Sequence, residues 1–114
     1  MKAVIIYYKK FDTIEESIKH LGETDGGIYE GITYKQAVEE IGEHNIIAFI
    51  PLRVTGGSYE ERKNDLRDKA ISWSNNGGEH QAWSYGELAY IQEFFERNGK
   101  RYGLIPEFRE NGII

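Results

Sequence analysis

The sequence contains no cysteine among its 114 residues. That absence excludes disulfide frameworks, thiol nucleophiles, cysteine zinc sites and iron–sulfur clusters. It is consistent with a reducing compartment, and we expect a cytoplasmic protein. The chain also lacks an apolar run long enough to span a membrane, and two lysines close the short apolar stretch near the N-terminus, which argues against a signal peptide.

Basic residues are also in short supply, since 14 Lys and Arg stand against 19 Asp and Glu for a formal net charge of −5. This charge disfavours broad binding to nucleic acid or to anionic membranes. Aromatic residues, by contrast, make up 13% of the chain, which argues against disorder. We therefore expect one α+β domain over 1–114, with a mixed strand and helix half at 1–57 and a helical half at 58–114.

Two short apolar runs predict strands at about 2–8 and 46–53. The second run is the longer, and we expect it to be the central strand that the rest of the chain covers. Pro51 removes a ladder donor from it, which predicts an edge position or a bulge. The first run does not alternate, so both of its faces are expected to be covered. The glycine-rich segment 23–31 is predicted as a turn region, and a short third strand at 27–31 stays open, giving a small sheet of two or three strands.

Capping signals and apolar periodicity predict four or five helices packed against that sheet. The predicted ranges are 13–21, 34–41, 59–73, 85–98 and about 104–110. Capping boxes are expected for Thr33 with Gln36, Ser58 with Glu61 and Ser84 with Glu87. The glycines expected to end helices are Gly22, Gly42, Gly99 and Gly112. Segment 74–78 is predicted as a flexible loop, and Ile113 and Ile114 as an apolar tail.

The apolar faces of these helices indicate where the core lies. Ile14, Ile18 and Leu21 share one face of the first helix and are expected to pack on the sheet. The third helix is mostly charged and is expected to be anchored by a narrow stripe of Leu66, Ala70 and Trp73. The fourth helix carries a wide apolar arc made of Leu88, Ile91, Phe94 and Phe95.

The width of that arc leads to a prediction about function. If the sheet leaves part of it uncovered, Tyr90, Phe94 and Trp83 form an interaction surface for a protein partner or a second copy. The alternative is that the sheet and the third helix fill the arc, which would make these residues part of the core.

Candidate chemistry is sparse in this sequence. His20, His44 and His80 lie near predicted helix ends or loops without metal-ligand spacing, so we predict no metal site. The turn between Thr55 and Ser58 follows a strand and precedes a helix, as phosphate-binding loops do, but it lacks their lysine, and the two glutamates that follow would repel an anion. No serine lies in a nucleophile elbow. We therefore predict no catalytic residue and no cofactor.

The C-terminal third resembles the first two helices of a Myb/SANT-type helix-turn-helix. The residues that carry the resemblance are Trp83-Ser-Tyr-Gly-Glu-Leu88, Ile91, Phe94-Phe95, Gly99-Lys-Arg-Tyr102, Ile105 and Phe108. In that family a third helix reads the major groove, and none follows Ile114 here, so we expect no specific duplex recognition. If the hairpin does contact nucleic acid, the basic cluster formed by Arg97, Lys100, Arg101 and Arg109 is the candidate contact.

The tail from Gly86 to Ile113 also resembles small uncharacterised proteins carried on mobile elements of Gram-positive bacteria. That resemblance implies no activity and no site residues. The leading hypothesis from the sequence is a non-enzymatic cytoplasmic interaction or regulatory protein. An accessory DNA-binding protein that uses the C-terminal hairpin is the first alternative. A small-molecule-binding or enzymatic domain built on the turn between Thr55 and Ser58 is the second.

Overall fold

A computed structural model of the protein describes residues 1–77 and 83–114. The predicted α+β class is confirmed: a three-stranded antiparallel sheet packs against helices. The strands are β1 (Lys2–Tyr8), β2 (Thr24–Glu30) and β3 (Ile46–Pro51). The helices are α1 (Ile14–Lys19), α2 (Tyr34–Ile41), α3 (Tyr59–Asn76), α4 (Tyr85–Tyr102) and α5 (Ile105–Glu110), with one 3₁₀ turn at Glu43–Asn45. No helix in the described part of the chain is both long and apolar enough to cross a membrane.

The strand order is β2-β1-β3, so β1 is the central strand, and the prediction that the second apolar run would be central is wrong. Four consecutive residues of β1, from Ala3 to Ile6, are fully buried, which confirms that both faces of this strand are covered. β3 is an edge strand, as Pro51 predicted. Its pairing with β1 shifts at Tyr7, where Ile47 is left without a partner as a bulge.

The two faces of the sheet carry different layers, because side chains alternate along a strand. Val4 and Ile6 belong to the main core together with the apolar faces of α3, α4 and α5. The predicted stripe of α3 is confirmed, since Leu66, Ala70 and Trp73 are the buried residues of that helix. The opposite face carries Ile5 and is covered by α2, whose Ala37 is fully buried and whose Tyr34 ring meets Phe49 at 5.6 Å between centroids.

The helix starts follow the predicted caps. The side-chain oxygens of Thr13, Thr33, Ser58 and Ser84 each accept a hydrogen bond from the backbone N–H three residues later. The reciprocal half of the capping box is present at Thr33 and Ser84. At Ser58 it is not, because the Glu61 carboxylate accepts from the N–H of Gly57 instead, at 2.8 Å.

The ends of α3 and α4 lie beyond their predicted positions. The loop predicted at 74–78 is wrong in part, since α3 continues to Asn76, while Gly78 lies outside the described residues. Gly99 does not end α4, which continues to Tyr102 and ends at Gly103 with a left-handed φ of 69°. A Cβ on Gly99 would lie 3.1 Å from the side chains of α5, so glycine is present to let α5 approach. The predicted free tail is also wrong, because Ile113 is buried in the main core.

Two corrections concern the N-terminal half. The segment predicted as a turn region is the seven-residue strand β2, longer than the 27–31 strand left open. The first helix is shorter than predicted and has no buried residue, so the expectation that it would pack on the sheet is wrong. Gly22 does adopt the left-handed conformation, with φ of 84°, but it lies beyond the helix cap at His20.

Glu87 ties the start of α4 to the outer edge of β2. One carboxylate oxygen accepts from the N–H of Ser84 at 3.1 Å, and the other accepts from the N–H of Ile28, also at 3.1 Å. An edge strand with unpaired N–H groups is a template for adding another strand. Because Glu87 occupies the Ile28 donor, the helix start protects this edge.

Candidate functional site

The most exposed apolar side chains of the described chain include three on or next to α1. Ile14 is 79% exposed, Ile18 is 69% exposed and Leu21 is 86% exposed. Ile14 and Ile18 are four residues apart and share one face of α1, and Leu21 lies in the turn that follows the helix. We call these three residues the α1 surface. Leu21 also borders a groove of about 420 Å³ that contains Tyr8, another exposed aromatic side chain.

The connection between β1 and β2 holds α1 by local contacts. The N–H of Lys9 donates to the carbonyl of Glu23 at 2.9 Å, which extends the strand ladder and closes the loop that carries the helix. At the end of α1, the His20 ring stacks on Phe11 at 4.9 Å between centroids, and its Nδ1 lies 2.7 Å from a Glu23 carboxylate oxygen. The helix is therefore fixed at its base while its apolar face stays exposed.

The three residues predicted as an interaction surface lie in different environments. Phe94 is buried with its ring against Phe95, and Trp83 is buried with its ring against Trp73, each pair 5.2 Å between centroids. Both belong to the main core, so the prediction that they form part of an interaction surface is wrong. Tyr90 is 39% exposed at the border, where Lys2 Nζ lies 4.4 Å from its ring centroid. The apolar arc of α4 is therefore filled by neighbouring elements, as the alternative prediction stated.

The four basic residues predicted as possible nucleic-acid contacts are exposed on α4 and α5. Arg97 lies 3.9 Å from Glu93, and Lys100 lies 3.7 Å from Glu96. Both pairs are well exposed, and pairs of this kind contribute little to stability. Their acidic partners reduce the positive potential that a phosphate backbone would meet.

The turn between Thr55 and Ser58 uses its own donors internally. The N–H of Thr55 donates to Asp65 at 3.0 Å, and the N–H of Gly57 donates to Glu61 at 2.8 Å. Carboxylates from α3 thus occupy the positions where an anionic ligand would accept hydrogen bonds. The turn therefore leads into α3 and is stabilised by carboxylates of that helix.

The histidines do not come together in the part of the chain that can be described. His20 pairs with Glu23, His44 lies in the 3₁₀ turn, and His80 is outside the described residues. Within residues 1–77 and 83–114, no three His, Cys, Asp or Glu side chains are grouped to hold a metal ion.

A cleft on the α2 side of the sheet was not found by sequence reasoning. It has a volume of about 410 Å³ and lies between the β1–β2 pair and the end of α2. The hydroxyls of Tyr7 and Tyr29 meet there at 3.2 Å. Burial, and then the hydrogen bond with Tyr7, raise the pKa of the Tyr29 hydroxyl well above its usual range. The only sequence signal was the alternation of Asp25, Gly27 and Tyr29, which marks one face of a strand.

Comparison with known proteins adds no further assignment to these surfaces. No protein-family model, curated protein or solved structure matches this chain.

Proposed function

We propose that this chain is a non-enzymatic cytoplasmic protein that binds another protein through the α1 surface. The observation that carries the proposal is the exposure of Ile14, Ile18 and Leu21, each more than two-thirds accessible, on α1 and in the turn that follows it. Contiguous exposed apolar side chains commonly mark interaction sites, whereas isolated ones need no explanation. These three lie within eight consecutive residues, and two of them are four residues apart on one helix.

The spacing of the α1 surface favours a particular mode of binding. Ile14 and Ile18, four residues apart on α1, match two anchors of an amphipathic helix that lies in an apolar groove of its partner, and Leu21 follows in the turn beyond the helix. Glu15, Glu16 and Lys19 are exposed on the same helix and supply a charged rim. The partner is therefore expected to present an apolar groove with polar edges.

A second copy of the chain fits this surface poorly. A stable interface usually buries about 800 Å² on each partner. The three aliphatic side chains of the α1 surface can bury only a few hundred Å² of accessible surface, even together with the neighbouring Tyr8. A different protein whose groove surrounds the helix would bury more of it, and that favours a heterologous partner.

Two other candidate sites are already occupied. The C-terminal arc is filled by core packing, and the donors of the turn between Thr55 and Ser58 are bonded to carboxylates. The α1 surface, in contrast, stays exposed.

Photo-cross-linking in the native host tests the proposal. A photoreactive residue replaces Lys19, beside the α1 surface, and in a matched control it replaces Lys35, an exposed lysine on α2. We expect a discrete heterologous adduct from position 19 and none of that mass from position 35. The double variant Ile14→Glu with Leu21→Glu should lose the adduct while its circular dichroism spectrum is unchanged. An adduct that survives this variant, or no adduct at position 19, would contradict the proposal.

A further inference from the structure

The cleft beside α2 combines groups that the proposed function does not use. Its walls are two tyrosines, two lysines, two carboxylates and the apolar side chain of Ile41. Its volume of about 410 Å³ lies within the range of small-molecule sites, about 300–1,000 Å³. It lies away from the main core, on the face of the sheet that α2 covers.

The tyrosine pair provides directed hydrogen bonds. The Tyr29 ring lies beside Gly27 of the same strand, where a Cβ would be 3.4 Å from the ring, an ordinary van der Waals distance. One hydroxyl of the pair donates to the other across 3.2 Å, which leaves one O–H for a ligand. Burial raises the pKa of the Tyr29 hydroxyl, so this group stays protonated even above its usual titration range.

The charged groups of the cleft are not engaged in ion pairs in the part of the chain that the structure describes. Within the described residues, the ion pairs involve none of Lys9, Lys10, Asp25 and Glu40. One oxygen of Asp25 accepts from the N–H of Gly26 at 2.8 Å, which orients the carboxylate and leaves its second oxygen available. The cleft therefore offers two cations and two anions, with no net charge.

This arrangement selects among ligand classes. A simple anion such as phosphate would meet the lysines but also two carboxylates, and a simple cation would meet the reverse. A zwitterion can place its anionic group against the two lysines and its cationic group against the two carboxylates. We propose that the cleft binds a free α-amino acid, with its carboxylate at Lys9 and Lys10 and its ammonium group at Asp25 and Glu40. Ile41 and the Tyr29 ring then contact the amino-acid side chain.

The experiment is isothermal titration of the intact protein with each of the common amino acids, up to about 10 mM, together with the N-acetyl and amide forms of any that bind. We expect at least one free amino acid to bind. Removing either charge of the ligand should weaken the affinity by about tenfold or more, because each charge-assisted hydrogen bond is lost separately.

Matched variants separate the cleft from general surface charge. Lys10→Met and Asp25→Asn should each weaken binding about tenfold. Lys35→Met, which removes a lysine of α2 outside the cleft, should leave the affinity unchanged. Circular dichroism checks that each variant is folded. The inference is overturned if no amino acid binds, if the N-acetyl and amide forms bind as well as the free one, or if Lys35→Met has the same effect as Lys10→Met.

Discussion

Replacing Trp83 by alanine is the perturbation whose size the structure defines best. The side chain is buried, its ring meets Trp73 at 5.2 Å, and its Nε1–H donates to the carbonyl of Gly77 at 2.9 Å. It also lies against β2, where a Cβ on Gly26 would be 3.1 Å from the indole. The ring thus joins α3, α4 and the sheet.

The expected cost of Trp83→Ala is about 3–5 kcal/mol, the usual loss for a large buried aromatic. Trp83→Phe keeps a ring in place but removes the Nε1–H donor, and we expect about 1–3 kcal/mol from the buried Gly77 carbonyl that loses its partner. A domain of this size has about 5–15 kcal/mol of total stability, so the alanine variant should still fold, but with a markedly lower urea midpoint.

Urea unfolding followed by circular dichroism measures these values, and an unchanged m-value shows that the same surface is exposed on unfolding. Tyr85→Ala is the matched control, because the neighbouring Tyr85 side chain is 90% exposed and its loss should cost less than about 0.5 kcal/mol. A cost below about 1 kcal/mol for Trp83→Ala would refute its placement between the helices and the sheet.

Four further predictions follow from individual contacts. Ile18→Ala should change the free energy of unfolding by less than about 0.5 kcal/mol, and a loss above about 2 kcal/mol in urea would mean that the side chain is packed. Thr33→Ala should cost about 1 kcal/mol in the same assay, because a capping hydrogen bond of 3.2 Å is lost. Because the pKa of the Tyr29 hydroxyl is raised in the folded protein, the unfolded chain loses this proton at a lower pH. The contribution of this group to the free energy of unfolding is therefore fully present below pH 10.0 and falls as the pH rises above that value. In urea titrations at alkaline pH, Tyr29→Phe should lose less stability than the unchanged protein. Titration with duplex DNA at physiological salt should show no submicromolar affinity, and a salt-sensitive affinity abolished by Lys100→Glu with Arg101→Glu would contradict this expectation.

The helix starts could be predicted from the sequence because their causes are local. Thr33 and its partner three residues later satisfy each other within one turn, and the predicted 34–41 helix matches α2. The helix ends depend on tertiary contacts instead. A glycine at position 99 is typical of a helix C-terminus, but Gly99 lies inside α4, where it lets α5 approach closely. No local sequence pattern distinguishes these two uses of glycine.

The same limit explains why β2 was predicted as a turn region. Gly26 and Gly27 reduce strand propensity, and Gly26 is favoured by a side chain from elsewhere in the fold, because a Cβ there would lie 3.1 Å from the Trp83 ring. The cleft on the α2 side could not be predicted either, because it depends on the strand register that places Tyr7 opposite Asp25.

The first helix illustrates a different limit. The periodicity of Ile14, Ile18 and Leu21 predicted a helical face that packs on the sheet, but the helix ends at Lys19 and the three side chains are exposed, because periodicity does not say what covers a face. The wide arc on α4 left two outcomes open, a partly exposed surface or a filled core. The structure fills the α4 arc with α3, α5 and the sheet and leaves the α1 surface exposed.

Hydroxyl-radical footprinting read out by mass spectrometry tests the central claim most directly, because it reports the accessibility of individual side chains in solution. In the protein alone, we expect strong labelling of Ile14 and Leu21 and weak labelling of Ile91 and Phe95, which are fully buried. With the partner identified by cross-linking at position 19, protection should appear on the α1 surface. Weak labelling of the α1 surface in the free protein, or protection confined to α4, would contradict the account.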